Sequence, residues 1–255
     1  MNVIGIIPAR LQSTRLPRKL LLAETGQPLL QHTYEAASAA SSLDEVVIAT
    51  DSEEIRDTAV AFGARCEMTG DHPSGTDRIA EVVGRCFPHA DIIVNVQGDE
   101  PEIAQSAINR LVDLLQENPD DEMATLSTPI RCREELESAS CTKVVTAGDG
   151  RALYFSRSPI PFVRDASIDE LLAGETPWRL HLGLYAYRRD FLLRLAKQSP
   201  TPLEQFEKLE QLRALELGAV IRAATVDQRT VGIDTPADYA RFVARYSDRQ
   251  RRRAA

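Results

Sequence analysis

Short apolar runs rich in β-branched residues alternate with amphipathic segments through the first half of this 255-residue chain, and no other feature restricts its fold as much. The strand candidates are Val3 to Ile7, Glu45 to Ala49, Asp91 to Val96 and Ala124 to Ser127. Helical spacing fills Leu29 to Ala40, Ser52 to Phe62, Asp77 to Cys86 and Ile103 to Gln116. Strands that alternate with helices predict an α/β fold whose mostly parallel sheet is covered on both faces. Open sheets of this kind bind ligands beyond the carboxyl ends of their strands. That places Pro8 to Lys19, Thr50-Asp51 and Gln97 to Pro101 along one rim.

The pattern changes after residue 140. Lys143 to Thr146 and Ala152 to Ser156 read as strands joined by the turn Gly148-Asp149-Gly150, and Leu182 to Tyr187 reads as a third. Pro159 to Trp178 holds several prolines and no clear period. Residues 142–187 are therefore expected to form an antiparallel insertion in a single domain covering 1–255, placed to cover the rim and to contribute to an oligomer interface. Leu203 to Leu217 returns to helical spacing, Val220 to Thr225 is a last strand, and Pro236 to Tyr246 is a helix with Thr235 at its N-cap. The basic tail Arg249 to Arg253 reads as frayed and solvated.

A formal charge of −8 and a sequence pI near 5.2 argue against a broad phosphate-tracking face, so nucleic acid is not an expected partner. The four cysteines are widely spaced and form no C-x-x-C pair, which argues against a zinc ribbon and fits thiols in a reducing compartment. The sequence has no leader pattern and no apolar run near the ~18 residues of a membrane span. A cytoplasmic protein without membrane contact is the expectation.

Against this acidic background the first loop is cationic. The run Val3-Ile4-Gly5-Ile6-Ile7 breaks at Pro8 into a segment holding Arg10, Arg15, Arg18 and Lys19 with Ser13 and Thr14. Basic side chains, hydroxyls and unpaired backbone N–H groups suit a polyphosphate; a solvated basic loop is the plain alternative. No G-x-G-x-x-G follows the strand, so a dinucleotide site of the usual kind is not indicated. A second constellation, Asn95-Val96-Gln97-Gly98-Asp99-Glu100-Pro101, puts an amide and two acids directly after a buried strand. An Asp facing a polyphosphate loop is where Mg²⁺ would bind, since that ion takes one or two carboxylates with phosphate oxygens and water. Val231-Gly232-Ile233-Asp234-Thr235-Pro236 supplies another acid, and helix capping by Thr235 leaves Asp234 for a different task. Sequence alone does not bring Asp234 to Asp99.

Nine motifs in order carry a family resemblance. They are Ile-Pro-Ala-Arg at 7–10, Ser-Thr-Arg-Leu-Pro at 13–17 with Lys19, Ala-Thr-Asp at 49–51, His-Pro-Ser-Gly-Thr-Asp-Arg at 72–78 and Val-Asn-Val-Gln-Gly-Asp-Glu-Pro at 94–101. Tyr-Phe-Ser-Arg at 154–157, His-Leu-Gly-Leu-Tyr-Ala-Tyr at 181–187, Leu-Glu-Gln-Leu-Arg at 209–213 and Gly-Ile-Asp-Thr-Pro at 232–236 complete the set. Together they resemble the 3-deoxy-manno-octulosonate (Kdo) cytidylyltransferases. The resemblance implies a nucleotidyltransferase-type, Rossmann-like sheet with an inserted antiparallel sheet for the lid and the dimer. It also implies Mg²⁺-dependent transfer of CMP from CTP to the anomeric 2-hydroxyl of Kdo, with release of pyrophosphate, for lipopolysaccharide biosynthesis. By similarity, Arg10, Arg15 and Lys19 take the triphosphate, while Pro8, Ala9, Ser74, Gly75 and Gln97 surround the cytosine. Asp99 and Asp234 are the implied metal ligands, and Arg157, His181, Tyr185, Glu210 and Gln211 the implied sugar site. The forked donors of Arg157 suit the sugar carboxylate. A homodimer is the implied assembly.

Three places depart from the family pattern: Arg18 stands where glycine is frequent, Ser138 to Thr142 where an Asn-Pro-Asn-like turn is common, and Phe162 where Trp is frequent. They bear on the sugar more than on the chemistry, which leaves 8-amino-Kdo or a sialic acid as alternative substrates. A silent nucleotide-binding module would lack a metal acid or a phosphate cation, and all four of Asp99, Asp234, Arg15 and Lys19 are present.

Overall fold

In the computed structural model, residues 1–227 and 232–254 are described, with no side-chain description beyond residue 252. Val231 and the side chain of Arg253 thus lie outside the described residues. The chain forms two compact units, residues 1–109 with 230–255, and residues 110–229.

The first unit carries β1 (Val3–Ala9), α1 (Leu29–Ser38), β2 (Glu45–Thr50), α2 (Glu53–Ala61), β3 (Arg65–Met68), α3 (Gly75–Cys86) and β4 (Ile92–Asn95). Its strands lie in the order β3-β2-β1-β4 and every pairing is parallel. Ile6, Ile7, Val47, Ile48, Ile93 and Val94 are fully enclosed, as expected of strands covered on both faces. The sequence reading missed β3. Its residues, Arg65-Cys66-Glu67-Met68, are half-exposed and lack an apolar run, because an edge strand with charged side chains needs burial on neither face. Arg65 spans Glu45 and Glu67 there, fixing the edge by ion pairs.

α4 (Gln105–Glu117) crosses the boundary in sequence. The second unit then holds β5 (Met123–Pro129), α5 (Arg133–Glu137), β6 (Lys143–Thr146), β7 (Ala152–Ser156), α6 (Ile168–Ala173), β8 (Arg179–Arg188), α7 (Arg189–Leu195), α8 (Pro202–Glu207), α9 (Gln211–Glu216) and β9 (Ile221–Thr225). β6 pairs antiparallel with β7 and β8, β8 antiparallel with β5, and β5 parallel with β9. The irregular stretch after Pro159 contains α6, capped by the Ser167 hydroxyl on Glu170 N–H.

The expected helix from Leu203 to Leu217 is two helices. Lys208 adopts φ 54°, ψ 47°, a left-handed conformation that ends α8 and re-aims the chain into α9. A side chain rarely accepts that backbone, and here Arg213 holds the corner by pairing with Glu204 at 2.6 Å. The first unit ends in α10 (Pro236–Ala254), longer than the sequence suggested. The tail is helical rather than frayed, because Arg245 and Arg249 both pair with Glu102.

Candidate active site

Each cationic and acidic residue of the first unit is placed by local structure. β1 delivers Pro8 and Ala9 to the sheet rim, and the following loop is anchored by Leu16, which packs with Leu29, Ile233, Tyr239 and Phe242. Ile233 belongs to the same apolar cluster, so one core fixes both the cationic loop and the residue before Asp234. Its backbone N–H also donates to Asp99 O at 2.9 Å, tying the two acidic segments together. Thr235 and Asp238 cap α10 through the Thr235 hydroxyl and the Asp238 carboxylate. The cap occupies Thr235, and the carboxylate of Asp234 turns instead to Arg15 at 2.9 Å and to Lys19 at 3.1 Å.

The Lys19 ammonium also pairs with Asp99 and donates to Ile233 O at 3.1 Å. Three oxygens thus surround one cationic centre. A hard dication takes the same donors, so the set fits Mg²⁺ with Asp99 and Asp234 as its protein ligands. Among the described residues no cluster of three or more acidic, His or Cys side chains could hold a metal. The remaining ligands of such an ion would be phosphate oxygens and water, which is how Mg²⁺ is usually held at nucleotides.

These groups line a cleft of about 500 Å³. Every residue that the resemblance assigned to the nucleotide lines it: Pro8, Ala9, Arg10, Arg15, Lys19, Ser74, Gly75 and Gln97, together with Asp99 and Asp234. Ser74 caps α3 by accepting from Asp77 N–H at 3.1 Å, so the positive end of a twelve-residue helix opens on the cleft. Space favours Gly75: a Cβ there would stand 3.3 Å from Pro8 Cγ, closer than side chains usually pack. Arg18 does not line the cleft. It adopts φ 56°, which explains why glycine suits this position, and its guanidinium pairs with Glu54.

Two ionisable cleft residues were given no role by the sequence reading. Arg78 is buried, donating to Asp51 at 2.9 Å and Thr69 at 2.5 Å, and His72 binds Glu81 at 2.6 Å. The His72 hydrogen bond holds the Glu81 carboxyl below its ordinary pKa. Both belong to the quoted 72–78 motif, where a cation at an inward helix position was the signal that could have found Arg78.

The second unit gathers the residues assigned to the sugar. Phe155, His181, Tyr185 and Tyr187 form an aromatic row with centroid separations of 4.9, 5.3 and 5.9 Å. Burial pushes the His181 imidazole down to about 3 and the Tyr185 phenol well above its usual value; Tyr187 and then Glu210 add to the latter effect. Tyr187 is enclosed in the core, whereas Tyr185 is half-buried. The left-handed corner at Lys208 sets Glu210 and Gln211 at the start of α9, with Gln211 buried.

Arg157 sits differently from a side chain that presents an open fork. Its guanidinium donates to Glu207 O at 2.6 Å, Ala139 O at 2.8 Å and Lys208 O at 3.2 Å, which uses three of the five N–H groups of an arginine. Lys143, read from the sequence only as the start of a strand, complements it. Fully enclosed, its ammonium donates to Ser138 O, Cys141 O and Arg157 O, and burial lowers its pKa. These two cations bind the 138–141 turn to the ends of β7 and α8.

A cytidylyltransferase family model matches residues 4–222. The 3-deoxy-manno-octulosonate cytidylyltransferase of Pelobacter propionicus is 49% identical over 251 residues, covering 96% of this chain and 98% of its own. That of Rhodopirellula baltica is 47% identical over 250 residues, covering 96% and 98%. A solved CMP:2-keto-3-deoxy-manno-octonic acid synthetase complexed with CTP superposes with a TM-score of 0.90 at 39% identity, covering 98% of this chain and 100% of that one. A 4-diphosphocytidyl-2C-methyl-D-erythritol synthase from Anaerococcus prevotii shares the fold alone, with a TM-score of 0.62 at 11% identity. The chain belongs to the cytidylyltransferase family, and within it to the 3-deoxy-manno-octulosonate cytidylyltransferases.

Proposed function

We propose that the protein transfers CMP from CTP to the anomeric 2-hydroxyl of Kdo. The hydroxyl oxygen bonds to the α-phosphorus, the bond from that phosphorus to the β-phosphate oxygen breaks, pyrophosphate leaves, and the hydroxyl proton is lost to solvent. The observation that carries this reading is the meeting of Asp99 and Asp234 at one cationic centre inside a cleft lined by Arg10 and Arg15. Relatives of nearly full length named for the same reaction support it.

Arg10, Arg15 and Lys19 bind the triphosphate and offset the charge that develops on the leaving pyrophosphate. Pro8, Ala9, Ser74, Gly75 and Gln97 enclose the base. Asp99 and Asp234 hold Mg²⁺, which when bound neutralises phosphate oxygens and lowers the pKa of the attacking hydroxyl. His181, Tyr185, Glu210 and Gln211 bind the sugar hydroxyls. His181, held neutral by burial, is a weak base and contributes hydrogen bonding. Arg157 orders the turn at Ala139 and the Lys208 corner, and directs its two remaining N–H groups to the sugar carboxylate.

The working form is a homodimer through the second unit. Phe162, Phe206 and Leu153, all in the second unit, are 87%, 85% and 59% exposed, and these are apolar side chains that a partner would cover. No helix of the described residues is long and apolar enough to cross a membrane.

Phosphorus NMR tests the reaction. With CTP, Mg²⁺ and Kdo, a new phosphodiester resonance should grow in step with pyrophosphate. Release of inorganic phosphate without a phosphodiester would overturn the proposal.

A further inference from the structure

The β5–β8 ladder breaks at one point. The partner of Thr125 is Tyr185, and that of Leu126 is Leu182, so Gly183 and Leu184 are extra residues in β8. This bulge brings two backbone carbonyls to one side chain: the Thr125 hydroxyl lies 2.8 Å from Leu184 O and 3.2 Å from Leu182 O. Its third neighbour is His181 Nε2 at 3.0 Å. Thr125 has no solvent exposure.

A hydroxyl has one proton and two lone pairs. If Thr125 donated to His181 Nε2, its oxygen would face two carbonyl oxygens with no proton between them, at a separation where that arrangement is repulsive. If it donates to Leu184 O, its lone pair receives a proton from Nε2, and the two shortest contacts both become hydrogen bonds, leaving only the longer approach to Leu182 O without a proton. The bulge thus decides the direction of the Thr125–His181 bond. Burial keeps the imidazole neutral, so a proton on Nε2 leaves none on Nδ1. Nδ1 has no donor among the described residues, and the row continues from the His181 ring to Phe155 and Tyr185.

We infer that Thr125 is a positioning residue that fixes His181 as the Nε2–H tautomer and leaves Nδ1 as an acceptor for a hydroxyl of the sugar. The second half of this rests on the sugar site proposed above. It gives the site a means of discrimination, because a ligand that presents an acceptor at that point would meet a lone pair.

The test is the nitrogen-15 spectrum of His181 in histidine-labelled protein, together with substrate kinetics. In the unsubstituted protein Nε2 should have a pyrrole-type shift and Nδ1 a pyridine-type shift; the reverse would overturn the inference. Thr125→Val removes the acceptor and should shift the ring toward the Nδ1–H form while raising the sugar KM roughly tenfold with CTP KM unchanged. Thr125→Ser keeps the hydroxyl and should preserve both. An unchanged tautomer in Thr125→Val would overturn the positioning role. A changed tautomer with an unchanged sugar KM would uphold that role and remove His181 from the sugar site.

Discussion

The Lys19 ammonium donates to the Asp234 carboxylate at 3.1 Å, joining positions 215 residues apart in the chain. Asp99 shares the same ammonium, so two acids from distant segments converge on one charge in the cleft of the first unit. The ammonium offsets the repulsion between the two carboxylates. Asp99→Asn keeps the shape and removes one charge. The turnover rate should fall by about 10²-fold or more while the thermal midpoint changes little. Circular dichroism melts and initial rates check this, and near-normal turnover would take Asp99 out of the metal site.

Arg157→Lys separates binding from scaffolding. One ammonium cannot reproduce the fork across Ala139, Glu207 and Lys208, so folding stability should fall by about 1–3 kcal/mol. The sugar KM should rise more than the CTP KM. Equal losses for both substrates would refute the assignment to the sugar.

His181 makes folding stability depend on pH. In the unfolded chain an imidazole takes up a proton near pH 6.5, whereas the buried ring resists protonation down to about 3. Its contribution is therefore complete above pH 6.5 and is lost as pH falls toward 3, since the unfolded state binds the extra proton. Between pH 6.5 and 5 the protein should lose about 2 kcal/mol more than His181→Gln does. Urea titrations of both at the two pH values measure the difference.

Phe242 tests whether the apolar cluster positions Asp234. The ring is 1% exposed and packs with Leu16 and Ile233, so Phe242→Ala should cost about 3–5 kcal/mol of stability. Affinity for CTP, measured by calorimetry below the melting range, should also fall, although Phe242 does not line the cleft. Unchanged CTP affinity would detach the cluster from the site.

The parallel strands were legible because burial on both faces forces continuous apolar runs such as Val3 to Ile7. β3 was not, since its charged edge has no such constraint. The break at Lys208 was hidden because the residues on either side keep helical spacing, and only the left-handed backbone at one lysine divides them. In the cleft of the first unit the charged residue types were readable, since the proposed phosphate needs cations and the proposed metal needs acids. Lys143 and Thr125 were not readable: their roles come from backbone carbonyls that a bulge and a turn bring together, and no side-chain pattern records carbonyl positions.

Pyrophosphate release with CTP and Mg²⁺, offering Kdo, 8-amino-Kdo and N-acetylneuraminate in parallel, tests the central claim most directly. Rapid release with Kdo alone is the predicted result. Release with another of the three sugars but not with Kdo, or silence with all of them while CTP still binds, would contradict it.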